Sequence, residues 1–538
     1  MELEQINSPV TNKLLADYWS ENADIHSFFE YKYNEEAFGQ RFAYLKNRTY
    51  RSEELAQIIR SYMERYGISE KTAHHLDELE QGAVVVVGGQ QAGLLTGPLY
   101  SVHKAISVIL LAEQQRKILN APVVPMFWIA GEDHDIEEIN HTYTMTNGEV
   151  KKRGYSERSK LKKMASTTQL NKEALQQFIL NVFKDFGETE HTADLLNSVL
   201  SHAENSETFT DFFTLLMNDL FKKHGLLMLD ATYEPFRKYE KNYFVQLIEK
   251  NESIATGVVA QERKLGEKGY AMPIDASEQN ANLFYIKEGE RFLLERSGGH
   301  FKNVTAHANF SKEELVAIAN ESPECLSNNV VTRPLMQEMA LPVLAFVGGP
   351  GELAYWATLK PAFDELQLQM PIFAPRLSIT LVTRQVDALL EQKELTVTDV
   401  LTGKVDEHLA QFVDSVKDEQ VTRAIEQMQK QMEEQYEQLT SYLQHGNYHV
   451  EDLLEKNKNY HERQFQYLRS KLEQQNIEKY EVAIRQYKTI QSLLYPNDSY
   501  QERLYNPYLF LNTYGEKLID NLLELPMNIS VKHQLITL

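Results

Sequence analysis

The apolar residues between positions 83 and 130 follow two different spacings. Residues 83–87 form a β-branched run with no polar face, which predicts a strand buried on both sides. After a Gly-rich turn, apolar residues recur at helical spacing to about Asn120, and a second apolar run covers 123–129. The order strand, turn, helix, strand predicts a parallel βαβ unit.

Further apolar runs later in the chain extend this unit to an α/β fold with one wound, Rossmann-like parallel sheet. They lie at 225–230, 342–347 and 371–374. Two insertions, at about 150–220 and 260–330, interrupt this core over residues 1–385. The first is polar and helical in pattern, and the second contains a predicted β-hairpin with strands at 283–286 and 291–294.

Residues 386–495 are rich in Gln, Glu, Lys and Tyr, with scarcely any Gly or Pro, which predicts an α-helical coiled-coil domain. A break at 445–447 predicts an antiparallel hairpin, and residues 496–538 are expected to return to the core. We expect the hairpin to form a homodimer, because it leaves apolar surface that needs a partner; a monomeric hairpin is the alternative. The two apolar stripes step by three and four residues: Ile425, Met428, Met432, Gln435, Leu439 and Tyr442, then Phe465, Leu468, Leu472, Tyr480, Ile484, Tyr487 and Ile490.

Charge and composition narrow the class of protein. The 538 residues carry a net charge of −22, which disfavours nucleic acid and anionic membranes as partners but not small anionic substrates. The single cysteine, Cys325, excludes an internal disulfide and fits a reducing compartment. The apolar runs are shorter than the roughly 20 residues that a bilayer requires, and the N-terminus lacks a signal-peptide pattern. We therefore expect a cytoplasmic enzyme acting on small molecules.

The Gly-rich turn after the first strand is a candidate ligand site. Its glycines let backbone approach a ligand, and the helix start favours an anion. His103 and Lys104 follow and could stabilise developing negative charge, although a core-edge histidine and a solvated lysine are the alternative. Neither the dinucleotide-binding nor the Walker glycine pattern is present. The expected substrate-binding residues of this segment are Gln90, Gln91, Thr96, Gly97 and Tyr100.

An acidic loop follows the second strand, with Glu132, Asp133, His134 and Asp135 in sequence. Ligands of parallel sheets bind at the carboxyl ends of the strands, so this loop and the Gly-rich turn are expected to meet. The loop could bind an amine, act as acid and base, or hold a metal, and a solvated acidic loop is the simplest alternative. Because no standard metal-ligand spacing is met, no metal is predicted.

Two more regions carry candidate binding residues. A second glycine loop, 348–351, precedes a helix and could shape the same pocket, and arginines beside it could bind carboxylate or phosphate. The polar junction after the coiled coil could bind a nucleotide, although a structural hinge is the alternative. The candidates are Gly349, Glu352, Tyr355, Trp356, Arg333 and Arg376 for substrate, and Arg384, Gln501, Arg503, Tyr505 and Asn506 for nucleotide.

Four segments, 88–105, 127–135, 348–352 and 501–503, resemble the BshC family, the cysteine ligases of bacillithiol biosynthesis, and the likeness covers essentially the whole chain. The resemblance implies that cysteine is added to glucosaminyl-malate to form bacillithiol. It also implies a core similar to class I aminoacyl-tRNA synthetases, two connecting insertions and a coiled-coil domain for dimerisation. Residues 96–104 take the place of the synthetase His-Ile-Gly-His element, of which only His103 is present, and no Lys-Met-Ser-Lys-Ser loop is found.

Amide formation in water requires an activated carboxyl group, which ATP would supply most simply, so ATP or ADP is the expected cofactor. On this hypothesis His103 and Lys104 steady a phosphate or acyl oxyanion, and the arginines hold the malate carboxylates. The acidic residues Glu132, Asp133 and Asp135 hold the cysteine ammonium or deprotonate the attacking amine. The alternatives are a nucleotide-binding scaffold or sensor with a degenerate core, and a tRNA-linked nucleotidyl-transfer enzyme.

Overall fold

The computed structural model describes residues 1–7, 12–20, 23–146, 148–156, 163–446 and 450–538. The chain divides into two compact units. The first comprises Met1–Thr146, Val150–Arg384 and Ser499–Leu538, and the second comprises Gln385–Asp498 with residues 148–149. None of the helices in the described ranges combines the length and the apolar character needed to span a bilayer.

The described ranges contain 15 strands, most of them in the first unit. They are β1 (Glu2–Ile6), β2 (Val84–Gln90), β3 (Val123–Ile129), β4 (His141–Thr146), β5 (Glu149–Gly154), β6 (Leu227–Asp230), β7 (Asn280–Lys287), β8 (Glu290–Ser297), β9 (His300–Asn303), β10 (Ala308–Ser311), β11 (Leu326–Asn328), β12 (Val343–Gly348), β13 (Ile372–Pro375), β14 (Ile379–Val382) and β15 (His533–Thr537).

The same ranges contain 24 α-helices and several short 3₁₀ turns. The helices are α1 (Lys13–Trp19), α2 (Ala23–His26), α3 (Glu35–Lys46), α4 (Ser52–Glu64), α5 (Glu70–Glu80), α6 (Leu99–Leu119), α7 (Ile136–Ile139), α8 (Lys172–Phe186), α9 (Thr192–Glu204), α10 (Phe209–Phe221), α11 (Glu234–Glu249), α12 (Asn251–Glu267), α13 (Lys312–Glu321), α14 (Thr332–Ala340), α15 (Pro350–Trp356), α16 (Lys360–Glu365), α17 (Arg384–Lys393), α18 (Val397–Leu401), α19 (Val405–Ser415), α20 (Glu419–His445), α21 (Glu451–Lys479), α22 (Glu481–Leu494), α23 (Tyr508–Tyr514) and α24 (Lys517–Glu524).

A five-stranded parallel sheet forms the centre of the first unit, in the order β13-β12-β2-β3-β6. The chain builds β2, β3 and β6 in one direction and then returns to add β12 and β13 on the other side of β2. The strand order therefore reverses between β2 and β12, and in such sheets the ligand crevice opens at the carboxyl ends of the strands at this point. The predicted wound, Rossmann-like parallel sheet is confirmed.

Helix α6 follows β2 and is buried on almost every side over its first three turns. Sequence spacing predicts one buried face, with His103 and Lys104 beside or opposite it. In the structure His103 is 0% exposed and Lys104 is 1% exposed, so that prediction is wrong. The helix packs against β2 and β3 on one side, and the C-terminal segment around the 3₁₀ turn Gln501–Arg503 covers it on another.

The second insertion carries a five-stranded antiparallel sheet in the order β10-β9-β8-β7-β11. The predicted hairpin is confirmed as β7 and β8, which pair Ile286 with Arg291. Strands β9, β10 and β11 are not predicted, because they are short and mix polar with apolar residues. In the first insertion, helices α8 to α10 match the predicted helical pattern, while residues 157–162 lie outside the described ranges.

A small sheet joins the two ends of the chain, in the order β1-β15-β14. Strand β1 runs antiparallel to β15, and β15 runs parallel to β14. Gln5 and Gln534 also join their side-chain amides at 3.0 Å. This sheet was not predicted, because residues 2–6 are mostly polar and give no strand signal of their own.

Helices α20 and α21 pack together in the second unit, which confirms the predicted helical hairpin. Asn476 donates to the carbonyl of Val416 at 2.6 Å, as expected for an antiparallel pair. The predicted seam is buried at Ile425, but Met428 and Tyr442 are 52% and 75% exposed. Of the predicted break at 445–447, Asn447 lies outside the described residues. Dimerisation through this surface stays a prediction.

Replacing Glu338 with alanine should destabilise the first unit strongly. Arg41 and Glu338 are both fully buried and pair at 2.5 Å, so the change leaves a guanidinium without its charge partner in the core. Losing one partner of a buried pair typically costs about 3–5 kcal/mol. Urea unfolding can be followed by tryptophan fluorescence, which reports on this unit because Trp19, Trp128 and Trp356 all lie in it.

The matched control is Glu234→Ala, which removes an exposed pair with Lys238 on α11. Exposed pairs contribute about 0–1 kcal/mol, so this variant should unfold close to the wild type. Equal stability of the Glu338 and Glu234 variants would contradict the stabilising role of the buried pair.

Candidate active site

The candidate site lies at the carboxyl ends of β2, β3 and β12. Strand β2 ends at Gln90, β3 leads into the acidic loop at 130–135, and β12 leads into the glycine loop that begins at Gly348. The strands pair in parallel register, with Val347 beside Gly88 and Gly88 beside Phe127, so the three ends lie at one edge of the sheet.

Lys104 lies at the centre of this edge. Its ammonium donates to the carbonyl of Gly89 at 2.6 Å, to Oε1 of Gln90 at 3.0 Å and to Oε2 of Glu352 at 2.6 Å. These bonds use all three donors of a lysine. Burial lowers the pKa of the Lys104 ammonium, and the Glu352 carboxylate opposes this effect. Gly88 leaves room for the lysine chain, because a Cβ there would lie 3.1 Å from Lys104 Cγ.

Glu352 connects this lysine to the second glycine loop. It lies in the first turn of α15 and accepts the backbone N–H of Gly349 at 2.8 Å, a contact that also caps the helix. A continuous series of hydrogen bonds therefore connects the end of β2 to the end of β12, running from Gly89 through Lys104 and Glu352 to Gly349. Gln90, Lys104, Gly349 and Glu352, all predicted site residues, are brought together.

The acidic loop meets the Gly-rich turn through Gln91. Its Nε2 donates to Oδ2 of Asp133 at 2.7 Å and to Oε2 of Glu138 at 3.0 Å. The predicted meeting of the two loops is confirmed by these contacts. Asp135 is exposed, and its backbone N–H binds Asp133 at 3.2 Å. Within the described ranges, no three His, Cys, Asp or Glu side chains are grouped as metal ligands would be.

Glu132 does not face the crevice as predicted. It is 4% exposed and pairs with the buried Arg237, which also binds Glu240 at 3.0 Å. Its carboxylate neutralises a core arginine of α11 and is not open to a substrate in this structure, so a catalytic acid or base at this position stays a prediction without structural support. The sequence does not reveal this, because Arg237 lies 105 residues away along the chain.

The His103 side chain also pairs with a buried carboxylate of the protein itself. Its Nδ1 lies 2.9 Å from Oε2 of Glu502, and Arg376 donates to both oxygens of that carboxylate, at 2.8 and 2.7 Å. Burial lowers the pKa of His103, with partial compensation by Glu502. Burial disfavours the Glu502 carboxylate, but Arg376 and His103 outweigh it and hold the pKa of Glu502 well below its usual range. The burial of His103 and its pairing with Glu502 do not support the predicted direct contact with a phosphate, which stays a prediction. Glu502 was not predicted, although it lies in a segment that carries the family resemblance.

The start of α6 is closed and not open to a ligand. Leu95, Thr96 and Gly97 have φ values of 52°, 67° and 69°, a left-handed turn that is strained for the two residues with side chains. Thr96 is fully buried, and the N–H of Leu99 donates to the carbonyl of Tyr505 at 2.7 Å. Thr96 and Gly97 are both buried, so neither side of this turn is open to a substrate in this structure, and their predicted contact with substrate stays a prediction.

Some of the aromatic and arginine residues predicted to bind substrate are partly exposed, whereas Trp356 lies in the core. Arg333 donates to the hydroxyl of Tyr355, and both side chains are partly exposed. Burial raises the pKa of Tyr355 to about 12, with partial compensation by Arg333. Tyr100 is partly exposed, and its ring centroid lies 5.6 Å from the Arg376 guanidinium. Trp356 is a core residue: it is 1% exposed and stacks on Phe346.

The five residues predicted to bind a nucleotide do not form one surface. Gln501, Tyr505 and Asn506 are fully buried. Gln501 binds both the N–H and the carbonyl of Leu381, at 2.9 and 3.0 Å, and Asn506 donates to Thr142 at 2.7 Å. Arg384 and Arg503 are exposed. The three buried residues fasten the C-terminal segment to the core, which supports the structural alternative for this junction.

Sequence reasoning missed Arg291, which reaches the acidic loop from the inserted antiparallel sheet. It lies on β8, is 7% exposed, and approaches Nδ1 of His134 at 3.4 Å. An isolated arginine in a hairpin carries no signal of such a contact, because the folding of the insertion onto the core cannot be read from local spacing.

The buried network below the site predicts a pH-dependent stability that involves His533. This imidazole lies 2.8 Å from Thr380 Oγ1 and 2.9 Å from Ser378 Oγ, and burial lowers its pKa from 6.5 to about 4, with partial compensation by Glu502. The unfolded chain therefore binds a proton that the folded protein excludes between pH 6.5 and 4. The stabilisation is complete above pH 6.5 and is lost as the pH falls to 4, by about 2–3 kcal/mol.

A His533→Gln variant should lose correspondingly less stability over this range than the wild type. Urea unfolding at pH 7.5 and at about pH 4.5, followed by tryptophan fluorescence, gives the difference. The change in unfolding free energy between the two pH values is measured for both proteins, and the value for the variant is subtracted from that for the wild type. This subtraction removes the parallel contributions of His103 and Glu502. Identical pH dependence in the two proteins would contradict the assignment of this proton to His533.

Two family models match consecutive parts of this chain. Residues 1–377 match the N-terminal Rossmann-like domain of bacillithiol biosynthesis BshC, and residues 379–538 match its C-terminal coiled-coil domain. Among the curated relatives, the protein named "Putative cysteine ligase BshC" from Lysinibacillus sphaericus is 53% identical over 538 residues, the whole of both chains. Proteins of the same name from Geobacillus kaustophilus and Bacillus licheniformis are 40% and 35% identical and cover 97% and 100% of both chains. The chain belongs to the BshC family of bacillithiol biosynthesis.

Proposed function

We propose that this protein is a cytoplasmic ligase that joins the carboxyl group of cysteine to the amine of glucosaminyl-malate and so forms bacillithiol. The names of the relatives support a cysteine ligase, and the family assignment supports bacillithiol biosynthesis. The observation that carries the proposal is the meeting of charged side chains at the ends of β2, β3 and β12, where Asp133 and Arg333 form no ion pair among the described residues.

Asp133 is the acidic group. Its carboxylate accepts hydrogen bonds from Gln91 and from the backbone of Asp135, and it pairs with no lysine, arginine or histidine in the described part of the chain. A partly exposed carboxylate of this kind can bind an ammonium group or accept a proton from an amine. The backbone on either side is fixed, because the N–H of Ala165 donates to the Asp133 carbonyl at 2.8 Å.

Arg333 is the basic group, and Tyr355 orients it. A guanidinium in this position can hold a carboxylate of the acceptor through two parallel hydrogen bonds. Arg376 is not available for this purpose, since both oxygens of Glu502 occupy it.

The proposed reaction forms one amide bond. The acceptor nitrogen attacks the activated cysteine carbonyl carbon, the bond from that carbon to the phosphate oxygen breaks, and the proton of the amine passes to Asp133. ATP would supply the phosphate leaving group, without which amide formation in water is unfavourable. The buried Gln501, Tyr505 and Asn506 do not fit a nucleotide, so no residue is assigned to ATP here.

Lys104 and His103 act in this proposal as positioning residues. The three bonds of Lys104 hold the ends of β2 and β12 at a fixed separation, and His103 fixes Glu502 and, through it, Arg376. This differs from the role expected from the sequence, in which both would touch a phosphate or oxyanion directly.

The direct test is turnover of the purified protein with cysteine, glucosaminyl-malate, ATP and magnesium, with bacillithiol measured by mass spectrometry. We expect bacillithiol to form only when all three substrates are present, with one equivalent of AMP or ADP released per amide bond. Amide formation without ATP would contradict activation by ATP. Nucleotide binding without any turnover would favour the scaffold or sensor alternative.

An Asp133→Asn variant tests the role of the carboxylate in the same assay. Loss of a general base typically slows a reaction by about 10²- to 10⁴-fold, and we expect a fall of this size in kcat. Asp194→Asn, an exposed change on α9, is the matched control and should leave turnover unchanged. Wild-type kcat in the Asp133 variant would remove this residue from the mechanism.

A further inference from the structure

Most buried arginines in the described part of the first unit pair with carboxylates. Arg41 pairs with Glu338, Arg237 with Glu132 and Glu240, and Arg376 with Glu502. This is the usual pattern, since an uncompensated charge is costly to bury. Arg291 is an exception.

Within the described ranges, Arg291 forms no ion pair with a carboxylate. Its Nε donates to Ser327 Oγ at 2.8 Å, one Nη donates to the carbonyl of Asn328 at 2.6 Å, and the other approaches His134 Nδ1 at 3.4 Å. The guanidinium also lies 3.9 Å from the centroid of the Phe284 ring. Burial lowers the pKa of Arg291, and the charges of Glu132 and Asp133 partly offset this, so the group lies close to the acidic loop.

Arg333 likewise has no carboxylate partner among the described residues. In the part of the chain that the structure describes, its only side-chain partner is the Tyr355 hydroxyl, and its buried Nε has no hydrogen-bond partner. Burial opposes the charge of Arg333, while Tyr355, Glu352 and then Glu132 and Asp133 raise its pKa, so Arg333 as well as Arg291 lies near the acidic loop. Both amide atoms of Asn328, whose carbonyl binds Arg291, are likewise buried without a partner.

We propose that Arg291 is a specificity-determining residue that, together with Arg333, binds the two carboxylates of a dicarboxylate acceptor. The inference rests on the proposed function, in which that acceptor is glucosaminyl-malate. The inserted antiparallel sheet thereby supplies a residue of the substrate site, and the site is incomplete without it.

The distribution of charge around the loop supports this assignment. Glu132, Glu352 and Glu502 are already neutralised by Arg237, Lys104 and Arg376. The described groups beside the loop that remain include two cations, Arg291 and Arg333, and the carboxylates Asp133, Asp135 and Glu138. A ligand with two carboxylates and an ammonium group complements this set, because each of its charges meets one of opposite sign. A neutral sugar amine would leave both guanidinium groups uncompensated.

Calorimetric titration without cysteine or ATP tests the inference independently of turnover. The ligands are glucosaminyl-malate and its dimethyl ester, which keeps the sugar and the amine but lacks both negative charges. Arg291→Met should weaken binding of the diacid by about 10- to 100-fold, the range for losing a hydrogen bond between charged groups. Binding of the ester should change by less than about threefold, since it makes no charged contact with Arg291.

Two further variants separate recognition from structure. Arg291→Lys keeps the charge and should recover part of the affinity for the diacid. Arg296→Met makes the same change on the same strand, where Arg296 binds a backbone carbonyl outside the site, and should leave both affinities unchanged. A thermal unfolding curve for each variant identifies any general loss of folding.

Several outcomes would overturn the inference. They are equal weakening of both ligands by Arg291→Met, unchanged binding of the diacid by that variant, and failure of the wild type to distinguish the diacid from its ester. Weaker binding of cysteine alone, with the diacid unaffected, would assign Arg291 to the other substrate and would also overturn it. If the wild type binds the diacid selectively but makes no bacillithiol, the proposed function fails while this inference stands.

Discussion

The hydrogen bonds of the buried Lys104 ammonium are the constraint on which the site depends. Strands β2 and β12 meet where the sheet reverses its order, and at this point the chain must leave both strands and open a crevice. Lys104 binds the Gly89 carbonyl on one side and Glu352 on the other, and Glu352 in turn binds the Gly349 N–H. Three charge-assisted bonds in a buried position hold the two strand ends together, and the proposed substrate site is built on this geometry.

The charged side chains of this region are of two kinds: those that pair with an opposite charge inside the protein, and those that form no such pair among the described residues. Below the crevice, Glu132 with Arg237 and Glu502 with Arg376 and His103 form closed groups in which every charge has a partner. These groups stabilise the backbone that carries the acidic loop and the C-terminal segment. Asp133, Arg291 and Arg333 lie outside these closed groups. Residues of the first kind are expected to affect catalysis through position, and those of the second kind through contact with substrate.

The order of strand, turn, helix and strand from β2 to β3 could be predicted from the sequence, because it rests on local spacing of apolar residues. The meeting of Gln91 with the acidic loop could also be predicted, because parallel strands end at one edge. The burial of His103 and Glu132 could not, since their partners Glu502 and Arg237 lie 399 and 105 residues away. The same limit applies to the sheet of β1 and β15, which joins the two ends of the chain, and to Arg291, which depends on how the insertion folds back.

A crystal structure of the protein with glucosaminyl-malate and an unreactive cysteine analogue is the most direct test of the proposed site. We expect electron density for both molecules at the ends of β2, β3 and β12. The acceptor amine should lie within hydrogen-bond distance of the Asp133 carboxylate, and the Lys104–Glu352 contact should be intact beneath the ligands. Substrate density elsewhere in the protein, with this crevice unchanged, would contradict the proposed site.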